Sequence, residues 1–166
     1  MQISQLDVDA FVENIVPDEY KPKAGFVLGV TAIPADDINK NYSTMHRGKS
    51  LPPGQQIFGL TVNASMIVSS PKLKKMLENK YFILVNKNQS LTQLMFTIAH
   101  EIGHVHDYVG NIVMKQKGVD VLHVNKNMSG EAKERRADEY ARALLIEKFG
   151  AERAKKIFGS IMTEGE

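Results

Sequence analysis

Two histidines and a glutamate, His100, Glu101 and His104, have the residue types and the spacing of a catalytic metal site. A helix turns about 100° per residue, so the two imidazoles lie one turn apart and can hold one divalent ion. Zn²⁺ commonly takes imidazole ligands and keeps an open position for water. The ion lowers the pKa of its bound water to about 7, and a glutamate beside it can accept a proton as that water attacks a carbonyl. The spacing therefore predicts His100 and His104 as zinc ligands and Glu101 as general base.

The motif lies in the middle of a predicted amphipathic helix at residues 91–108. The apolar stripe of this helix contains Ile98, Ile102, Val105 and Val109. Thr97 and the three motif residues share a different face. The alternative is a chance match, since His-Glu-x-x-His arises somewhere in a chain of this composition with a probability of roughly 0.01. The helical context favours the metal site.

Composition restricts the other classes of function. The 166 residues suit one domain, and a hydrophobic fraction of 43% is ordinary for a globular protein. A net charge of +2 with scattered lysines gives little support for direct nucleic-acid binding. The chain has no cysteine, so a metal must be held by histidine and carboxylate. We see neither a membrane span nor a signal peptide and expect a cytoplasmic protein without a membrane partner.

The remaining pattern predicts a small sheet between helices. Helices are expected at residues 6–15, 71–79, 131–147 and after Gly150, and strands at residues 25–33, 57–68 and 81–85. Residues 35–55 are polar and contain Pro-Pro-Gly, so they predict a long loop, and residues 111–129 predict a linker. Tyr42 and His46 lie in the first of these segments and could overhang a cleft.

A catalytic zinc site normally has three protein ligands, so one more is expected. Glu134 and Asp138 lie four positions apart on an alanine-rich helix face, and a pair of inward carboxylates needs a partner for its charge. We predict that Glu134 binds the metal while Asp138 accepts the outer N–H of a ligand histidine. Alternatives are Glu131, the loop residue His123, and a solvated acidic face paired with arginines. His106 points to the opposite side of its helix and is predicted to lie at the surface.

Three segments carry a family resemblance. They are residues 81–86 (Tyr-Phe-Ile-Leu-Val-Asn), 96–104 (Phe-Thr-Ile-Ala-His-Glu-Ile-Gly-His) and 134–145 (Glu-x-x-Ala-Asp-x-x-Ala-x-x-Leu-Leu). Together they resemble the ImmA/IrrE family of zinc-dependent metallopeptidases. The chain departs from the family pattern at Asp138, where Asn is usual, and at residues 146–147, where Met-Pro is common.

The resemblance implies a minimal zincin in which His100, His104 and Glu134 bind zinc and Glu101 is catalytic. Members typically cleave a transcriptional repressor, which implies a protein or peptide substrate. We therefore expect an α+β, zincin-like single domain, with a small mixed or antiparallel sheet packed on the motif-bearing helix. Within residues 1–166, 1–56 form a poorly matched N-terminal part, 57–147 the zincin core and 148–166 a C-terminal helix.

The substrate is expected to lie extended along the sheet edge, where main-chain hydrogen bonds provide affinity. Stabilisation of the developing oxyanion requires a hydrogen-bond donor, for which Tyr42, His46, His123 and Tyr140 are candidates. The rival interpretation is a catalytically silent zincin scaffold that holds metal and acts as a protein-binding or inhibitory module.

Overall fold

A computed structural model describes residues 2–21, 26–45, 56–116 and 130–164 and has mixed α+β architecture, as predicted. The helices are α1 (Gln5–Ile15), α2 (Ala35–Met45), α3 (Pro71–Leu77), α4 (Leu91–Gln116), α5 (Gly130–Phe149) and α6 (Ala151–Glu164). The strands are β1 (Val27–Ile33), β2 (Gly59–Asn63) and β3 (Lys80–Asn86), and short 3₁₀ turns span Asp18–Tyr20 and Ala64–Ile67. In the described ranges no helix combines the length and the apolar character that crossing a membrane requires.

The three strands form a mixed sheet in the order β1-β3-β2, with β1 parallel and β2 antiparallel to β3. The Asn86 amide donates to the Phe58 carbonyl over 2.9 Å, which fixes the hydrogen-bonding phase of the antiparallel pair. Along an antiparallel ladder, residues that hydrogen-bond to the partner strand alternate with residues whose main-chain groups point away from it. Because Phe58 bonds to β3, Leu60 also directs its main-chain groups toward β3. Gly59 and Thr61 direct theirs to the outer edge. Among the described strands, β2 is therefore an edge strand with main-chain donors and acceptors on its outer side.

Helix α4 packs its apolar stripe into the core against the sheet. Ile98, Ile102 and Val105 are fully buried, as is Ile83 of β3. Helix α5 packs closely along α4, and Gly103 makes this approach possible. A Cβ atom at this glycine would lie 3.0 Å from the Ala137 Cα and 3.1 Å from the Ala137 carbonyl oxygen. The glycine inside the motif thus brings α5 close to the helix that carries the histidines.

The loop predicted for residues 35–55 is wrong for its first part, which forms α2. Pro34 accepts main-chain hydrogen bonds from Asp37 and Ile38, so the helix begins directly after the proline. Acidic residues in the first turn favour a helix N-terminus, and Ile38 is fully buried. One buried apolar anchor among polar residues was too weak a pattern to indicate a helix. Residues 46–55, including His46, lie outside the described ranges.

Two other predicted boundaries are also wrong. The strand expected at residues 57–68 ends at Asn63, whose side-chain oxygen accepts from the Ser65 amide over 3.0 Å and caps the following 3₁₀ turn. Helix α4 continues through Gly110 to residue 116, into the segment predicted to be a linker, because one exposed glycine costs a helix only about 1 kcal/mol. Residues 117–129, including His123, lie outside the described ranges.

Candidate metal centre

Helix α4 places the two motif histidines one turn apart on a face between β2 and α5. The His100 and His104 rings have centroids 4.9 Å apart and meet edge to face, at an interplanar angle of 83°. Potential ligand atoms of the two histidines and Glu101 all lie within 4.8 Å of one another. Each imidazole side chain is 16% exposed, so a cation bound there would be reachable and partly desolvated.

Helix α5 brings the Glu134 carboxylate to both imidazoles. One of its oxygens lies 2.8 Å from the His100 Nε2 and the other lies 3.2 Å from the His104 Nε2. Adjacent donors of a tetrahedral zinc site with bonds of about 2.0 to 2.1 Å are separated by about 3.4 Å. The Glu134 oxygens thus lie near this spacing from each imidazole, and two imidazoles with a carboxylate form a donor set that fits zinc. Glu131, the alternative ligand, lies exposed in the first turn of α5.

Asp138 lies one turn after Glu134 and contacts the other nitrogen of His100. Its carboxylate oxygen is 2.7 Å from the His100 Nδ1. An Nδ1–H that donates to this carboxylate leaves Nε2 unprotonated and able to bind a cation. The Asp138 carboxylate therefore lies where it could hold the orientation of the His100 ring.

Carboxylates dominate the electrostatics of the two imidazoles. Burial lowers the pKa of His100, but the hydrogen bond with Glu134 and the surrounding carboxylates outweigh burial and raise it to about 9. The pKa of His104 is also raised, because the same Glu134 hydrogen bond and nearby negative charge outweigh its burial. Hydrogen bonds from both imidazoles hold the pKa of the Glu134 carboxyl far below its ordinary range. This negative surrounding is suited to a cation.

Glu101 is buried beside the histidines and is held by the edge strand. The Thr61 hydroxyl donates to a Glu101 carboxylate oxygen over 3.0 Å. Burial raises the pKa of the Glu101 carboxyl, while the two imidazoles and this hydrogen bond oppose the rise. Strand and helix approach closely because residue 59 is a glycine: a Cβ there would lie 2.7 Å from the Thr97 Cγ2 and 3.0 Å from the Glu101 Cγ. Sequence reasoning missed Gly59 and Thr61, which lie far from the motif along the chain.

A cavity of about 770 Å³ lies over these residues. Its apolar lining includes Ile57, Phe58, Leu60, Met66 and Phe96, and its polar lining includes Tyr42, Gln93, Tyr108, Lys133 and the candidate metal-site residues. Tyr42 lines the cavity, but from helix α2 rather than from the loop that the sequence predicted. Tyr140 is not among the lining residues and stacks on His106, with ring centroids 4.8 Å apart. Sequence reasoning missed Tyr108, although its position four residues after His104 placed it on the same helix face.

The part of the chain that contains the histidines, Glu134 and Asp138 also matches a known family. A family model described as the IrrE N-terminal-like domain (Peptidase_M78) matches residues 55–163, more than half of the chain. Comparisons with curated proteins and with solved structures found no match. The matched residues include β2 and β3 as well as α4 and α5, the two helices that carry His100, His104 and Glu134. The chain belongs to the family of peptidases that contain the IrrE N-terminal-like domain.

Proposed function

We propose that the protein is a zinc-dependent metallopeptidase that hydrolyses a peptide bond in a protein substrate. Membership of a peptidase family supports a metallopeptidase-type function. The observation that carries the zinc-dependent assignment is the Glu134 carboxylate, which reaches both imidazoles at 2.8 and 3.2 Å. A transcriptional repressor is the substrate class implied by the ImmA/IrrE resemblance, and cytoplasmic location is part of the same proposal.

His100, His104 and Glu134 would hold the metal, and Asp138 would keep the His100 ring oriented for binding. Zinc, when bound, supplies a water of lowered pKa and polarises the scissile carbonyl. Glu101 accepts a proton from the attacking water as its oxygen bonds to the carbonyl carbon. It returns the proton to the amine nitrogen as the carbon–nitrogen bond breaks. Burial suits this role because it raises the pKa of the carboxyl, which makes the carboxylate a stronger base.

The outer edge of β2 offers a binding surface for an extended substrate. The main-chain groups of Gly59 and Thr61 are directed outward, and this strand lines the cavity that contains Glu101. A peptide added as a further strand would gain main-chain hydrogen bonds there, while its side chains would enter pockets. Phe58 and Phe96 in the cavity lining favour an apolar side chain close to the scissile bond.

The test compares the wild type with Glu101→Gln on a peptide library made from a digested bacterial proteome, with new amino termini identified by mass spectrometry. The zinc-loaded wild type should cleave, and a chelator should abolish cleavage. Glu101→Gln should bind zinc as the wild type does but lose about 10²- to 10⁴-fold in cleavage rate, the usual contribution of a general base. Cleavage retained by this variant would refute Glu101 as the base. Zinc binding without chelator-sensitive cleavage would support the silent scaffold instead.

A further inference from the structure

Tyr108 continues the row of side chains formed by the two histidines. It follows His104 by one helical turn and His100 by two, so all three lie on one face of α4. This helix continues to Gln116, so Tyr108 is held within regular helix. Tyr108 lines the same cavity as the two histidines and Glu101. The helix therefore presents a phenol at the margin of the candidate metal site.

The Tyr108 ring has a defined position. It stacks on the ring of Tyr81, with centroids 6.4 Å apart and an interplanar angle of 17°. Tyr81 is fully buried in β3, so the Tyr108 ring is packed against the core of the sheet. Such packing limits the directions in which the phenol hydroxyl can point, which is a requirement for a preorganised hydrogen-bond donor.

The hydroxyl of Tyr108 is available to a ligand. Within the described ranges it takes part in no hydrogen bond with the protein. Unlike the Tyr81 hydroxyl, it is not completely buried. Burial of the ring, followed by the negative charges of Glu101 and Glu134, raises the pKa of Tyr108 above its ordinary value of 10.0. The phenol thus keeps its proton at neutral pH and can donate it in a hydrogen bond.

We propose that Tyr108 is a catalytic residue whose hydroxyl donates a hydrogen bond to the scissile carbonyl oxygen as negative charge develops there. This role rests on the proposed peptidase function and supplies the oxyanion donor that His100, His104 and Glu134 do not provide. Such donors act mainly in the transition state, so Tyr108 should contribute to the rate of the chemical step more than to substrate binding.

The experiment uses cobalt(II)-loaded full-length protein and acetohydroxamate, a small ligand that binds metals as an anion. Its carbonyl oxygen shares the negative charge and so imitates the oxygen of the transition state beside the ion. Tyr108→Phe keeps the ring stacked on Tyr81 and removes only the hydroxyl. Tyr140→Phe is the matched control, because Tyr140 stacks on His106 and does not line the cavity. Cobalt affinity, acetohydroxamate affinity and thermal unfolding are measured for the wild type and both variants.

We expect equal cobalt affinity in all three proteins and acetohydroxamate binding about 10- to 100-fold weaker in Tyr108→Phe alone, as for a lost hydrogen bond to a charged acceptor. With a peptide from the cleavage experiment, Tyr108→Phe should lower kcat by about 10²- to 10³-fold and change KM little.

Unchanged acetohydroxamate affinity in Tyr108→Phe would overturn this role while leaving the peptidase proposal intact. Loss of cobalt affinity in this variant would also overturn it, because Tyr108 would then act as a ligand. A wild type that binds cobalt but not acetohydroxamate overturns it as well. A wild type that binds neither cobalt nor zinc would remove the proposed function together with the inference.

Discussion

The two sides of α4 hold histidines in contrasting surroundings. On the cavity side, His100 lies 2.8 Å from Glu134 and 2.7 Å from Asp138. On the opposite side of the helix, the outer side, the His106 Nδ1 shares a hydrogen bond with the Tyr20 hydroxyl, and the His106 ring stacks on Tyr140. Negatively charged carboxylates stabilise a positive charge at the imidazole, whether it is a proton or a metal cation bound in its place. Neutral phenols bring no charge that would favour a cation. The partners from other elements therefore distinguish a candidate ligand from a packing residue.

Asp107 adds a second contrast, this time between carboxylates. It lies three residues after His104, on a neighbouring part of the same helix face, and its carboxylate forms an ion pair with Arg136 of α5 over 2.8 Å. The charge of Asp107 is thus already neutralised by an arginine. On the cavity side, Glu134 and Asp138 have the imidazoles as their ion-pair partners among the described residues. Both kinds of ion pair hold α5 against α4, but only the carboxylates of Glu134 and Asp138 are directed to the imidazoles.

The largest expected effect comes from removing the carboxylate that reaches both imidazoles. Glu134→Ala should weaken zinc binding by more than about 100-fold, which exceeds the usual cost of losing a partner that only orients a ligand. Isothermal titration of the metal-free protein with zinc, in competition with a chelator of known affinity, measures this change.

Glu131→Ala is the matched control for the loss of Glu134. It removes a carboxylate from the exposed first turn of the same helix and should leave zinc affinity unchanged. If Glu131→Ala weakened zinc binding as much as Glu134→Ala, the ligand assignment would be wrong. If Glu134→Ala left zinc affinity unchanged, the carboxylates near the motif histidines would not explain why this side of α4 should bind a metal.

Zinc binding should depend on pH in a direction set by the carboxylates. The pKa of His100 is raised to about 9, so at pH 7 the metal-free protein carries a proton on this imidazole. Zinc requires the neutral nitrogen, so binding releases the proton, and affinity rises by up to about tenfold per pH unit for each proton released. The rise should continue until the pH passes about 9 and then level off for this group.

Calorimetric titrations at pH 7 in two buffers of different ionisation enthalpy would count the released protons. Equal heats in both buffers would mean that no proton leaves, and the imidazoles would then be neutral before zinc arrives. Asp138→Asn should lower proton release, because a neutral amide stabilises the imidazolium less than a carboxylate does.

Helical spacing was sufficient to predict which residues of the candidate site share a helix face. His100 and His104 lie on one face for the same geometric reason that places Glu134 and Asp138 together on α5. Local geometry does not reveal how closely a distant strand approaches. The contact of β2 with α4 depends on the missing side chain of Gly59, so the Thr61 hydrogen bond to Glu101 could not be foreseen.

The elements of the fold were also predicted correctly where a pattern repeats and incorrectly where it does not. The amphipathic helices and the buried strand β3 carry periodic apolar residues, and their existence was predicted from that pattern. Helix α2 is held by Ile38 and by main-chain hydrogen bonds to Pro34, and neither gives a periodic signal. The end of β2 depends on the Asn63 side chain, which caps a turn inside an otherwise apolar run. The errors occur where one side chain, rather than a repeated pattern, decides the conformation.

The smallest expected effect on the metal comes from changing the histidine on the outer side. His106→Phe keeps a ring to stack on Tyr140 but removes the partner of the Tyr20 hydroxyl, which belongs to a residue only 4% exposed. A polar group left unpaired in such a place costs about 1 to 3 kcal/mol, so the free energy of unfolding should fall by that amount in urea denaturation. Zinc affinity should stay within about twofold of the wild type, since outer-side phenols offer no ligand.

Tyr20→Phe combined with His106→Phe separates the lost hydrogen bond from a general disturbance of packing. Removing both partners leaves no unpaired group, so the double variant should be more stable than the sum of the two single changes predicts. Additive losses would mean that the hydrogen bond contributes nothing and that the ring contacts alone hold the outer side. A fall in zinc affinity in the double variant would show instead that packing around His106 positions the motif histidines, and the two sides of α4 would then act as one unit.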